Sequence, residues 1–313
     1  MAISKTAKSN IALSLAAFFW GTTFIFQRDA MDHLEPFAYG GIRFTIGGLA
    51  LLPLLIPRVK AAQDSLNKED FKATVRWWII GGLVSGGFIF VGVSFQQYGL
   101  QWTTAGKAGF ITSLYVVLVP LILRLGGNKI LLGEAFGAVL AVTGLYFLSF
   151  TSGISGLSLG DGLVLIGAFV WAGHVISLGW LSPKMDPIAL GAGQALVCGI
   201  FSTAAALFLG QWPDFAAIRG AWLNILWGGI FSVTLGFTLQ VIGQKHANTT
   251  SAAIILQMEA VVAAVAGWYF LEESMTGRML AGAGIMLAGM LLSQLWPALV
   301  KGWSAQKKVR PSG

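Results

Sequence analysis

Four ionisable residues interrupt runs that are otherwise apolar: Arg43, Lys107, His174 and Glu259. A charged side chain at the centre of a membrane helix costs about 2.5–3.5 kcal/mol on insertion scales, so each implies a partner, water or a function. Glu259 stands in "IILQMEAVVAAVAGWYF", residues 254–270, about eleven residues from either end of its run and too short to reach an interface. Two roles fit it. It could position helices through a buried ion pair or hydrogen bond, or it could take up and release a proton and so couple a proton gradient to another movement. Lys107 lies five residues into its run, where it can bind an anionic group or let its ammonium snorkel to the surface. Arg43 lies about six residues inside its run and is read as a structural charge, expected to snorkel or to pair with Asp29, Asp32 or Glu35 of the adjacent loop. His174 follows Trp171 by three positions on nearly the same helical face, which suits either a packing residue or a cavity wall. Gln96, Gln97, Gln194 and Gln240 add uncharged polar groups.

Hydrolytic chemistry has one candidate. "GLSLG", residues 156–160, matches G-x-S-x-G with Ser158, but that motif works as a strand-to-helix elbow beside a positioned histidine. Here it leads from a loop into a helix, and His174 lies about four turns deeper, beyond the roughly 3 Å reach of a general base. There is no H-E-x-x-H, no Walker A motif and no metal-spaced Cys/His set, so neither an enzyme nor an ATP-driven pump is expected, and no cofactor or metal is called for.

The elements that carry these residues are membrane spans. Of the 313 residues 56% are apolar and only 11% charged, with 41 Gly and a mean hydropathy of +0.75; a soluble domain carries about 25% charged residues. Ten spans are read, near 10–27, 37–57, 77–99, 102–125, 130–150, 160–181, 188–209, 222–243, 248–271 and 276–297. Each meets the roughly 20 residues a helix needs to cross a bilayer. The first has no small-residue cleavage site and is read as a permanent helix rather than a signal peptide. The runs are too long and too evenly apolar for barrel strands. Cys198, the single cysteine, excludes a disulfide within the chain.

The net charge of +7 is a topology signal rather than a sign of nucleic acid. With ten spans, fifteen Lys and Arg, among them Lys5, Arg58, Lys60, Lys184 and Lys308, fall on one face, against Arg28, Arg219 and Arg278 on the other. That bias puts both termini, including the basic tail 298–313, in the cytoplasm. The expected setting is the inner membrane of a bacterium, with lipids and a small-molecule substrate as partners; oligomeric state is not legible.

The chain also repeats itself. Trp20 and Trp171 lie 151 positions apart, as do Pro36 and Pro187; Thr103-Thr104 matches Thr249-Thr250, and Gly137 and Gly144 fall on Gly282 and Gly289 at an offset of 145. An odd unit of five helices written twice, over 10–150 and 160–297, must enter the membrane from opposite sides, the arrangement of many secondary transporters with a midplane site between the halves. Trp20 and Trp171 both fall near the bilayer centre, where they could floor a cavity. "FFWGTTFIFQRDAMDHLEPFAYGGIRFTIGGL", "TTAGKAGFITSLYVVLVPLI", "EAVVAAVAGWYFLEE" and "GAGIMLAGM" together resemble the EamA-type transporters of the drug/metabolite transporter superfamily over essentially the whole chain. That resemblance implies an all-α fold of ten helices in two inverted repeats, and export or exchange of small metabolites such as amino acids without ATP. The family's motif positions fall on Trp20-Gly21, Arg43, Pro120 and Glu273. The Glu-Pro often found in the ninth helix is Glu259-Ala260 here, so a less kinked helix is expected. The cavity expected from both lines comprises Trp20, Gln96, Lys107, Trp171, His174, Gln240 and Glu259, with Glu259 as the coupling candidate. Opposite charges between aromatic walls would suit a zwitterion. A channel or lipid scramblase is the alternative reading; saturation and counterflow separate the two.

Overall fold

Helices with good caps and apolar interiors make up the molecule. The computed structural model describes residues 4–103, 105–149, 158–270 and 276–309, without the side chains of 105–107, 110, 148, 149, 294 and 297–309. In chain order the helices of the first half are α1 (Lys5–Ala30), α2 (Pro36–Ser65), α3 (Lys68–Leu100), α4 (Ala105–Ser113), α5 (Tyr115–Leu125) and α6 (Leu132–Ser149). Those of the second half are α7 (Leu159–Leu181), α8 (Pro187–Phe208), α9 (Phe215–Gly220), α10 (Trp222–Leu226), α11 (Thr238–Gln244), α12 (Thr249–Leu256), α13 (Glu259–Phe270) and α14 (Gly277–Val309). A π-helical segment, Trp227–Phe237, joins α10 to α11. Among the described residues there is no strand.

Local chemistry starts these helices. Ser4, Asn67, Asp186, Asp214 and Asn248 cap their helices by accepting backbone N–H bonds, and proline occupies the first position of α2 and α8, where its missing N–H is no loss. Ser158 is a cap as well: its hydroxyl accepts from Asp161 N, and the Asp161 carboxylate accepts from Ser158 N. The serine of "GLSLG" thus starts α7 and spends its hydroxyl on the cap. Asn248, which begins a glycosylation-like Asn-Thr-Thr, spends its side-chain oxygen on Thr250 N, 2.9 Å away.

Seven helical segments are long and apolar enough to cross a membrane, and three shorter apolar helices, Ile111–Leu125, Leu132–Phe147 and Gly277–Ser293, accompany them among the described residues. Their outer faces are greasy: Ile79, Leu83, Val139, Phe169, Ile200 and Leu223 are exposed, as an aqueous surface would not tolerate and lipid would.

Partners across the two halves are exchanged reciprocally. Gly48 packs on Leu196 while Gly199 packs on Thr45, and Gly48 and Gly199, like Thr45 and Leu196, are 151 positions apart. In the α6–α14 contact Gly137 meets Gly289 while Gly144 meets Gly282. Gly92 lies on Trp171 and Gly99 on Val164, just as Gly236 lies on Trp20 and Gly243 on Leu13. Such exchange is the pattern that a two-fold axis between halves imposes.

The molecule's two ends are also internally consistent. At one, Arg58 pairs with Asp186 at 2.8 Å and Lys245 donates to Met185 O. At the other, Gln211 donates to Tyr98 Oη, Thr103 to Asp161, and Asn224 to Asp29.

Two helices are broken midway. Helix α5 begins at Tyr115 directly after the turn at Leu114, and α13 begins at Glu259 after the turn Gln257-Met258. Both breaks are tightened by i→i−3 bonds, Leu114 N to Ile111 O and Val117 N to Leu114 O in one, Met258 N to Ile255 O and Ala260 N to Gln257 O in the other. The expectation of a smoother ninth span without its proline therefore needs correction. At this turn the Gln257 side chain donates to Ala141 O on α6 at 3.1 Å, tying the break to a neighbouring helix.

Candidate functional site

A cavity lies where the two broken helices meet α1, α2, α3 and α7. Helix α1 contributes Trp20, Thr23, Phe24 and Gln27, the i, i+3, i+4, i+7 stripe of one helical face. Trp171 comes from α7, Gln96 from α3, Phe237 from the end of the π-helical segment and Gln240 from α11. Tyr115 and Glu259, the first residues after the two breaks, complete the wall with Arg43 of α2. The empty space within this lining, including its mouth, is about 550 Å³, and about 50 Å³ of it can hold the centres of water molecules, room for a few waters.

The aromatic side is tightly organised. Phe237 lies between the tryptophans, 4.8 Å from the Trp20 ring and 6.2 Å from the Trp171 ring, nearly parallel to the latter. Each indole N–H is used. Trp20 Nε1 donates to the Ser232 carbonyl at 3.2 Å, a backbone group inside the π-helical segment, so one tryptophan pins α1 to the second half. Trp171 Nε1 donates to Gln96 Oε1 at 3.1 Å, and Gln96 Nε2 donates to Gln27 Oε1 at 3.0 Å, so the other ties α7 to α3 and α1. Neither Gln240 Oε1 nor Arg43 Nε, both buried, has a hydrogen-bond partner.

Glu259 is 5% exposed. Its polar neighbour is Tyr115, whose hydroxyl donates to Glu259 Oε1 across 3.5 Å, the long end of a hydrogen bond. No cation lies within 4.0 Å of the Glu259 carboxylate among the described residues. The backbone here is equally crowded: a methyl group at Gly21 would lie 2.5 Å from the Glu259 carbonyl oxygen, so α1 approaches α13 this closely only with glycine there.

Of the residues expected from the sequence, Trp20, Gln96, Trp171, Gln240 and Glu259 line one cavity. His174 is outside the lining. It sits fully buried behind the aromatic wall, edge-on to Trp171 and Phe237, with Nε2 3.1 Å from Gln194 Oε1. Lys107 falls in α4, and its side chain lies outside the described residues, as does Glu273 altogether. Arg43 departs from the expected pairing with loop carboxylates. Asp32 pairs with Arg28 at 3.1 Å, Asp29 accepts from Asn224, and Arg43 lines the cavity instead. Sequence reasoning missed Gln27 and Tyr115. The first was signalled by its spacing from Trp20, the second by being a polar aromatic midway through an apolar span.

The EamA-like transporter family model matches twice, over residues 7–150 and 158–295. An uncharacterized transporter of Archaeoglobus fulgidus is 32% identical over 93% of this chain and 87% of its own length. The uncharacterized transporter YvbV of Bacillus subtilis is 25% identical over 91% of this chain and 92% of its own. A WAT1-related chloroplastic protein of Arabidopsis thaliana is 25% identical over 88% of this chain and 66% of its own. One solved crystal structure superposes with a TM-score of 0.74 over 93% of this chain and 98% of the other, at 17% identity, a likeness of fold. With both halves matched and a relative above 30% identity along nearly its full length, the chain is an integral membrane protein of the EamA-like transporter family.

Proposed function

We propose that this protein is a ten-span secondary transporter that exports or exchanges small metabolites by alternating access, with Glu259 coupling transport to protons. The observation that carries the reading is the position of Glu259: a buried carboxyl at a helix break, on a cavity walled by helices of both halves. Discontinuous helices at a repeat interface are where secondary transporters place substrate and coupling ions. The seven longer spans and three shorter apolar helices support ten crossings. The reciprocal contacts support two inverted repeats, 10–150 and 160–297. The basic residues gathered on one face support cytoplasmic termini in a bacterial inner membrane.

In this reading the chemistry is simple. Protonated, Glu259 is neutral and can exchange a hydrogen bond with Tyr115; deprotonated, it needs the substrate's cationic end or water as company. A cavity that changes sides only when that charge is matched would exchange proton for substrate. In proteoliposomes carrying Glu259→Gln, transport of a pooled amino-acid mixture should lose its dependence on a pH gradient while the protein remains assembled in the bilayer. A pH response equal to wild type sinks the coupling role. Absence of saturation and counterflow in the wild type would favour a channel or scramblase.

A further inference from the structure

We propose that Arg43 binds the anionic end of the transported molecule, so that the cavity recognises a compound carrying a carboxylate at Arg43 and a cationic group at Glu259. The inference deepens the transport reading and rests on it for the word transported, but its binding claim stands alone.

Arg43 is 1% exposed and lies seven residues into α2, about 10 Å along the helix. A guanidinium at that depth needs compensation. The carboxylates nearest in sequence do not supply it: Asp32 is held by Arg28, Asp29 by Asn224, and Glu35 is the residue that begins α2. Among the described residues no carboxylate comes within 4.0 Å of it.

Its companions are aromatic faces, Tyr39 at 4.7 Å and Phe44 at 4.9 Å from the guanidinium carbon, and the Tyr39 hydroxyl beside it. That hydroxyl donates to Asn224 O. The two rings fix the plane of the guanidinium and favour its charge, yet they supply no counter-ion. A planar fork held by aromatic packing, with Nε buried and unpaired, is a preorganised carboxylate receptor. The same cavity presents Glu259, which has no cationic partner among the described residues. One cation and one anion, each without a counter-ion among the described residues and sharing one lining of aromatic and apolar walls, are complementary to a small zwitterion.

The test uses the intact purified protein in detergent, read by the fluorescence of its tryptophans, two of which line the cavity. The probes are an equimolar pool of L-amino acids with uncharged, non-aromatic side chains and the pool of their carboxamides, which keep the ammonium and lose the carboxylate. The wild type should bind the acids about tenfold or more tightly than the amides, the worth of one charge-assisted hydrogen bond. Arg43→Gln should erase that preference, and Arg43→Lys should retain part of it. Glu259→Gln should weaken both pools and leave the preference for acids in place, which a merely structural Arg43 would not predict. Wild-type binding of both pools alike, or of neither, overturns the assignment without any variant, as does an acid preference that survives in Arg43→Gln. If Arg43→Gln does not fold, the wild-type ratio and Arg43→Lys still decide. Binding as expected without movement across liposomes would overturn the transport reading alone.

Discussion

Gln96 shows how much one uncharged residue can hold at this depth. Its amide accepts from Trp171 and donates to Gln27, so three helices meet through two hydrogen bonds. Replacing it by Leu leaves an indole N–H and a carbonyl oxygen without partners beside the cavity. Gln96→Leu should cost about 1–2 kcal/mol, read as a lower thermal midpoint in detergent, because buried polar groups left unpaired carry their desolvation cost. An unchanged midpoint would mean that cavity water replaces the lost bonds. At this scale the sequence was partly readable. Trp20, Trp171, Gln96, Gln240 and Glu259 stood out as polar or bulky residues in apolar runs, and all five line one cavity, whereas His174, singled out on the same grounds, lies behind it. Arg43 was misplaced in expectation because three acids stand nearby in the chain, and proximity along a loop does not say which of them already has a partner.

At the scale of elements, glycine sets how closely helices approach. Gly21 allows α1 to lie against the Glu259 carbonyl, whereas Gly87 on α3 has nothing within 4 Å of where a methyl would go. The two make a matched pair. Gly21→Ala should push α1 off α13 and reduce transport by about tenfold or more, since small displacements at a site are costly. Gly87→Ala, open to its surroundings and relieved of glycine's helix penalty, should transport as wild type. Equal activity in both would show that the α1–α13 contact gives way. The helix runs themselves were legible from hydropathy, though charged ends such as residues 68–76 of α3 lay outside the apolar windows. The breaks were not. The ninth span has no proline and is interrupted all the same, at a turn whose Gln257 bonds to α6, and the π-helical segment at Trp227–Phe237 carries no proline to announce it.

For the whole molecule, the repeat was visible as offsets, but the offsets alone do not say which copies touch. The structure places Gly137 on Gly289 and Gly144 on Gly282, each residue against the counterpart of the other. In the proposed reading each unit has five spans, so the two would run through the membrane in opposite directions, and exchanging their conformations would give alternating access. Everything in that step depends on the path of the chain across the bilayer, which one lone cysteine makes easy to test. Cys198 is buried, and a Cys198→Ala background removes it as a reactive group. Single cysteines at Asp32 and Asp214 should then react with a membrane-impermeant maleimide on intact cells, whereas cysteines at Ser65 and Lys184 should react only after permeabilisation. All four positions are exposed at helix ends. Asp32 and Asp214 belong to opposite halves, as do Ser65 and Lys184, so the pattern reads both repeats at once. Labelling of Asp32 and Ser65 from the same side would remove a crossing from the first half and with it the inversion. A clean reversal of all four would keep the ten spans and overturn only the cytoplasmic termini, leaving the distribution of basic residues without its ordinary meaning.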